Sequence, residues 1–182
     1  MSDFRHRASA AAATVVVMTD SFSYLVRTTS PIGRLELTSD GESITSLTIE
    51  RDGSLPNDDR PERSTGVLET ATAQLAEYFA GERKEFDLPL HPHGTPFQHS
   101  VWEQLQQLDY GEHVSYGELG VMVGRPGSAR AVGGAVGANP LPILIGCHRV
   151  LAANGAVTGY SGGEGVPTKL WLLAHEGITL AA

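Results

Sequence analysis

A second cysteine is missing: Cys147 is the only one in the 182 residues. That excludes an internal disulfide and any zinc site built on two or more thiolates. A free thiol also suits a reducing compartment, so a cytoplasmic location is expected. Long apolar runs are absent as well. No stretch approaches the roughly 18 residues a membrane span needs, and no membrane partner is expected. Ala10–Met18 is mostly apolar, but Arg5 and Arg7 precede it, Asp20 follows it, and no cleavage site stands out. Residues 1–18 therefore read as a flexible tail. Basic charge is scarce: 13 Lys and Arg face 21 Asp and Glu, a net charge of −8. Broad phosphate contact needs the opposite balance. Most of the acidity lies in the first half, away from Cys147.

What remains is the composition of a globular chain, 41% hydrophobic, with length for one ordinary domain or two small ones. Phe22 to Thr28 and Arg34 to Thr38 alternate around a Pro31-Ile32-Gly33 turn, which predicts a hairpin. Ile44 to Ile49 is a third strand. Asp52 to Thr65 is polar with two prolines, an exposed loop. Val67 to Ala80 sets Leu68, Ala71, Leu75 and Tyr78/Phe79 on one helical face, and Gly81 ends it. Phe86 to Leu90 reads as a short strand. His91-Pro92-His93-Gly94 is a linker, dividing a domain over 19–92 from one over 93–182. His91, His93 and His99 have no carboxylate or thiol at matching spacing, so they are not read as a metal site.

In the second half Thr95-Pro96 opens a helix lined inward by Phe97, Val101, Leu105 and Leu108. Ser115 caps Tyr116 to Val123, Gly124-Arg125-Pro126-Gly127 breaks the helix, and Ser128 caps Ala129 to Ala138. Two short helices around a Gly-containing turn fit a helix-turn-helix, and equally an ordinary helical hairpin packed through small residues. Asn154 to Gly163 is glycine-rich and hairpin-like, without the order of a phosphate loop. Lys169 to Glu176 forms a last helix with Leu172 and Leu173 inward.

Cys147 sits in Gly146-Cys147-His148-Arg149-Val150, behind an apolar run. A thiol attacks as thiolate and needs a proton acceptor, and His148 is adjacent. Neighbouring side chains of a strand point to opposite faces, so contact between the two requires a turn or a bridging water. A small buried hydrophobe is the alternative reading of Cys147, and a solvated helix end that of Glu176.

Six stretches coincide in order: Val114-Ser115-Tyr116-Gly117-Glu118-Leu119, Ala129-Arg130-Ala131-Val132-Gly133, Ala138-Asn139-Pro140, Gly146-Cys147-His148-Arg149-Val150, Gly159-Tyr160-Ser161-Gly162-Gly163 and Trp171-Leu172-Leu173-Ala174-His175-Glu176. Together they resemble the methylated-DNA–protein-cysteine methyltransferase (O6-alkylguanine-DNA alkyltransferase) family, closely over about residues 94–178. The first half resembles it more weakly, through the Ser30-Pro31-Ile32-Gly33 hairpin and the helix ending at Tyr78-Phe79. The resemblance implies a small N-terminal α/β domain, an antiparallel sheet plus helix that is ribonuclease-H-like. A mostly α C-terminal domain with a winged helix-turn-helix follows it. The implied activity is DNA repair by single-turnover transfer of an alkyl (methyl) group to Cys147 from O6 of guanine, with O4 of thymine the other candidate position. Duplex DNA would be met through the minor groove by a monomer, with the base flipped out.

By the same resemblance His148 takes the thiol proton through a water, Glu176 orients the imidazole, and Asn139 is the hinge before the active-site turn. Arg130 fills the gap left in the stack and Tyr116 crowds the phosphate, with Ser115 and Ala129 beside them facing DNA. Tyr160 and Ser161 wall the pocket and donate to guanine O6, Val150 contacts guanine, and Pro142 packs on the alkyl group. Gly133, Gly134 and Ala135 would let the recognition helix approach the groove. No cofactor or metal is implied, since relatives that bind zinc in the first domain use cysteines absent here.

Three positions depart from the family's pattern. Gly146 stands where proline is usual, Gly137 where a basic residue is common, and residues 163–169 run slightly long. The rival readings are a sensor that binds alkylated bases without repairing them, a cysteine hydrolase using Cys147, His148 and Glu176, and a helix-turn-helix regulator.

Overall fold

The computed structural model describes residues 24–180. The expected tail over 1–18 and the start of the first strand at Phe22 lie outside the described residues. From Tyr24 the alternation forms an antiparallel meander of β1 (Tyr24–Ser30), β2 (Gly33–Ser39) and β3 (Ile44–Ile49), in that spatial order. Leu35 and Leu37 of β2 and Ile44, Leu47 and Ile49 of β3 are buried. They share a core with α1 (Gly66–Phe79), whose Leu68, Ala71, Leu75 and Tyr78 recur at helical spacing.

The loop over 52–65 is less free than its polarity suggests. Leu25 exchanges backbone hydrogen bonds with Arg63, and Leu55 is buried. Beneath the loop Arg27 pairs with Glu36 at 3.2 Å, while Asn57 donates to the same carboxylate at 2.7 Å. A charged pair on the outer face is hidden because the loop supplies the missing partners. Phe86 to Leu90 does not become a strand. It touches the edge of β3 at one bridge, Ile44 to Leu90, and Pro89 has no N–H with which to extend a ladder.

The second half starts with α2 (Pro96–Leu105), whose Thr95 and Gln98 form a capping box. Trp102, absent from the expected inner face, is fully buried, and its indole N–H donates to the Ala135 carbonyl at 2.9 Å. The chain continues through β4 (Val114–Ser115), α3 (Tyr116–Met122) and α4 (Ala129–Gly137) to β5 (Val150–Leu151) and α5 (Val166–His175). β4 and β5 pair in parallel, bringing the start of the helix-turn-helix beside the Cys147 segment. The turn between α3 and α4 closes with Gly124 N–H on the Val121 carbonyl and Arg125 N–H on that of Gly120.

Three local expectations are corrected. Ser128 precedes α4 but its hydroxyl donates to the Arg125 carbonyl instead of capping the helix. Residues 154–163 hold turns without a strand ladder. The last helix begins at Val166, because Pro167 fits a first turn that needs no N–H. One contiguous apolar cluster runs from Val26 through Trp102 to Leu172, so both halves share a core.

Candidate active site

The Cys147 segment is held at both ends of a tight loop. Asn139, just past α4, donates from Nδ2 to the Ile145 carbonyl and accepts the Leu141 N–H at Oδ1, both at 3.0 Å. The first domain adds a bond from the Leu47 N–H of β3 to the Pro140 carbonyl at 2.9 Å. Inside the loop Ile143 adopts φ +73. A β-branched residue there costs on the order of 1–3 kcal/mol and persists only where packing over-determines it; Ile143 is 1% exposed. Cys147 N–H then bonds the Ile145 carbonyl at 2.7 Å around Gly146 at φ −67, ψ 52, an inverse γ-turn. A 3₁₀ turn over Cys147–Arg149 follows. The turn, not a strand, lets Cys147 and His148 serve one site.

Glu176 is the C-cap of α5, fixed there by Gly177. At φ +75 that residue sends its N–H to the Ala174 carbonyl while Ile178 bonds Leu173. A carboxylate sits badly at the negative end of a helix, and it is also buried. Donors offset both costs. Oε1 accepts from His148 Nε2 at 2.8 Å, Tyr78 Oη at 2.9 Å and Arg149 Nη2 at 2.9 Å, and Oε2 accepts from Arg149 Nε at 2.8 Å. Burial alone raises the Glu176 pKa, but the hydrogen bonds of His148 and Arg149 outweigh it and hold the carboxyl well below the usual range. An ionised Glu176 only accepts, so His148 Nε2 carries a proton. Burial pushes the His148 pKa down against the pull of Glu176. The resting imidazole is therefore neutral, with a lone pair on Nδ1.

That Nδ1 and the Tyr160 hydroxyl are buried without a hydrogen-bond partner among the described protein groups. Burial pushes the Cys147 thiol up, opposed by Asn139, Tyr160 and Lys169. At rest it is a thiol, beside groups ready to favour its anion. A cavity of about 260 Å³ opens over Cys147, lined also by Tyr116, Gly133, Tyr160, Ser161 and Lys169.

Most expected site residues meet here. Cys147, Tyr116, Tyr160 and Ser161 line the cavity; His148 and Glu176 lie buried behind it; Asn139 staples the loop. Arg130 and Ala129 are exposed on the first turn of α4, while Ser115 caps α3 through the Glu118 N–H. Val150 is buried and presents its carbonyl to Lys169. Pro142 lines a neighbouring cavity of about 400 Å³, between β3 and the loop, which shares Ser161 with the first. Ala135 turns into the core, so the outward small residues of α4 are Ala131, Gly134 and Gly137.

Sequence reasoning gave no role in the site to Arg149, Lys169 or Tyr78. Lys169 is 1% exposed and donates to the carbonyls of Val150 at 2.5 Å and Gly159 at 3.3 Å. It shares a face with Leu172 at i+3, a spacing that could have marked it as inward.

Gly146 leaves room for Arg149. A Cβ at 146 would lie 2.9 Å from Arg149 Cδ and 3.0 Å from its Nε. The backbone itself already suits proline, whose φ is fixed near −65°. Gly146→Pro is therefore expected to fold, with the proline's entropic gain of about 0.4–1 kcal/mol spent on moving the Arg149 stem. Its melting temperature should stay within a few degrees of wild type, on the order of 1 kcal/mol. Loss of cooperative folding in a thermal melt would refute this.

A helix-turn-helix with a buried cysteine, histidine and glutamate beneath its second helix defines a class, a DNA-binding fold built around a thiol. Residues 24–92 match the ribonuclease-like domain of 6-O-methylguanine DNA methyltransferase, and residues 96–178 match its DNA binding domain. The chain belongs to this family. It is 42% identical to the methylated-DNA–protein-cysteine methyltransferase of Haemophilus influenzae, over 82% of this chain and 83% of that one. Against the crystal structure of the Mycobacterium tuberculosis O6-methylguanine methyltransferase the TM-score is 0.76, with 41% identity over 87% of this chain and 96% of that one. A structure of the M. tuberculosis protein in complex with DNA gives 0.74, with 43% identity over 82% and 90%.

Proposed function

We propose that this protein repairs alkylated DNA by moving one alkyl group, such as methyl, from O6 of guanine, or from O4 of thymine, onto Cys147. The observation that carries the reading is the buried His148–Glu176 pair, next to Cys147 in one turn under a cavity bordered by α4. The thiol proton passes to His148 Nδ1, through a water, as the sulfur attacks the alkyl carbon. The S–C bond forms and the C–O6 bond breaks. Guanine leaves with the electron pair and regains one proton, with Tyr160 and Ser161 as the donors nearest O6. Glu176 stabilises the imidazolium meanwhile, the role of a triad's third member. The thioether has no hydrolytic exit, so each molecule acts once.

A base inside a duplex cannot reach this cavity, so it must be flipped, at a cost of a few kcal/mol. Arg130, exposed at the start of α4, takes the vacated place, and Tyr116 at the cavity mouth presses on the rotated backbone, with Ser115 and Ala129 beside them. Asn139 holds the hinge, Val150 contacts guanine, and Pro142 borders the path of the alkyl group. The stripe of Ala131, Gly134 and Gly137 lets α4 approach the minor groove. Of the basic residues after position 93, Arg149 and Lys169 are engaged internally, which leaves Arg125 and Arg130 outward. Affinity then rests less on phosphate than is usual. The reading includes two domains meeting near residue 93, a monomer, and a cytoplasmic setting. Among the described residues no helix is long and apolar enough to cross a membrane.

The test is intact-protein and peptide mass after mixing with duplex DNA carrying one O6-methylguanine. One methyl per molecule, on Cys147, is expected. An unchanged mass with tight lesion binding indicates a non-repairing sensor instead.

A further inference from the structure

The first domain ends its helix inside the relay. Tyr78, on the last turn of α1, is fully buried and donates its hydroxyl to Oε1 of Glu176 at 2.9 Å, the same oxygen that receives His148 Nε2 at 2.8 Å. Its ring is wedged by Phe79, Phe86, Tyr110 and His175, at centroid distances of 5.0–6.1 Å. The His175 side chain also contacts the Tyr78 carbonyl at 2.8 Å. The hydroxyl therefore has little freedom to aim elsewhere.

We propose that Tyr78 is a positioning residue for the alkyl transfer: its hydroxyl sets how strongly Glu176 acts on His148, and through it the first domain tunes the proton acceptor of the second. The inference rests on the transfer reading above. A donor on Oε1 draws off part of the carboxylate's negative charge, which weakens its hold on an imidazolium. Without that donor Glu176 attracts the second proton of His148 more strongly, so His148 stays charged to higher pH and loses its role as acceptor.

The other titratable and charged groups around the pair are Arg149, Lys169 of α5, Tyr160, and Tyr110, whose hydroxyl is turned to the His175 carbonyl, with Cys147 and His175 as the pair's neighbours along the chain. Arg149 and Lys169 keep the imidazole neutral, and Tyr78 acts in the same direction. Tyr78 itself does not ionise in the working range, because burial and the adjacent Glu176 push its phenol upward.

The test is the pH dependence of single-turnover methyl transfer for Tyr78→Phe, which keeps the ring and removes the hydroxyl. The acid limb of the rate should move up by about half to one pH unit, with stoichiometric methylation retained at the plateau. Tyr110→Phe is the control: its hydroxyl donates to the His175 carbonyl at 2.8 Å, within the same ring cluster, and its profile should follow wild type. Should Tyr78→Phe fail to fold, a fluorotyrosine placed at 78 keeps ring and hydroxyl while donating more strongly. It should move the limb to lower pH. A limb that stays in place for the folded variant overturns the proposal, as does an equal shift for Tyr110→Phe. If wild type takes up no methyl at all, the transfer reading has failed first and this inference falls with it.

Discussion

Cys147→Ala will take up no methyl from O6-methylguanine DNA, while its affinity for the same duplex stays within about twofold, on the order of 0.4 kcal/mol. The loss is complete because the chain holds no second thiol to substitute, and no neighbouring hydroxyl approaches the nucleophilicity of a thiolate. Affinity survives because Cys147 is buried beneath the cavity, whereas the proposed contacts with the duplex come from outward groups on α3 and α4. Removing one sulfur from a packed site costs about 1 kcal/mol of stability, too little to unfold a domain of this size. Cys147→Ser sharpens the result. The serine hydroxyl keeps the volume and can still be approached by Asn139 and Tyr160, yet its proton is far harder to remove. It should bind the lesion and leave it unrepaired. Mass spectrometry of the protein and digestion of the recovered DNA check both variants, and any methyl uptake by the alanine form refutes Cys147 as the acceptor.

The parts of this fold that were legible in the sequence are those set by local rules. The β3 limits at Ile44 and Ile49, the Thr95 and Ser115 caps and the Gly81 stop each follow from one residue type and a short spacing. The Cys147 motif was legible as chemistry, but its geometry was not. An inverse γ-turn at Gly146 with Ile143 at φ +73 is stabilised by contacts from Asn139 and β3, and no local preference of isoleucine points to it. The Phe86–Leu90 segment misled for the opposite reason. Its alternation is that of a strand, yet Pro89 and a sheet edge with one bridge left it irregular. Charged residues at the centre were hardest to find. Nothing local in the sequence marks Arg149 and Lys169 as buried; Glu176 and two carbonyls supply the partners that make it possible. Their burial depends on partners 27 and 19 residues away in sequence, in segments that meet only when the domain closes. Tyr78 is the extreme case, since 98 residues separate it from Glu176. Its periodicity marked it as core, and only tertiary structure shows that its hydroxyl end has a polar task.

Glu176→Gln should be the most damaging substitution outside Cys147, for two separable reasons. Arg149 would be left buried with its counter-charge gone, and breaking a buried pair typically costs about 3–5 kcal/mol. For a chain of this length that lowers the melting temperature on the order of 10 °C. The second effect is on the proton. Arg149 gives the carboxylate two charge-assisted hydrogen bonds, at 2.8 and 2.9 Å. The amide oxygen introduced at position 176 would therefore turn to the guanidinium, and the amide NH2 would face His148. A donor facing Nε2 forces that nitrogen to accept, which moves the ring proton to Nδ1, the atom that receives the thiol proton in the proposed transfer. Fixing the wrong tautomer in a comparable triad costs about 10⁴-fold; a loss of about 10²–10⁴-fold in the transfer rate is expected here. Adding Arg149→Met separates the two effects. With the guanidinium gone nothing charged is stranded, and the amide oxygen is free to accept from His148 Nε2 and Tyr78 again. The double variant should regain most of the stability and about tenfold of the rate. Stability without any regain of rate would mean that the negative charge of Glu176, rather than the tautomer it enforces, is what the transfer needs.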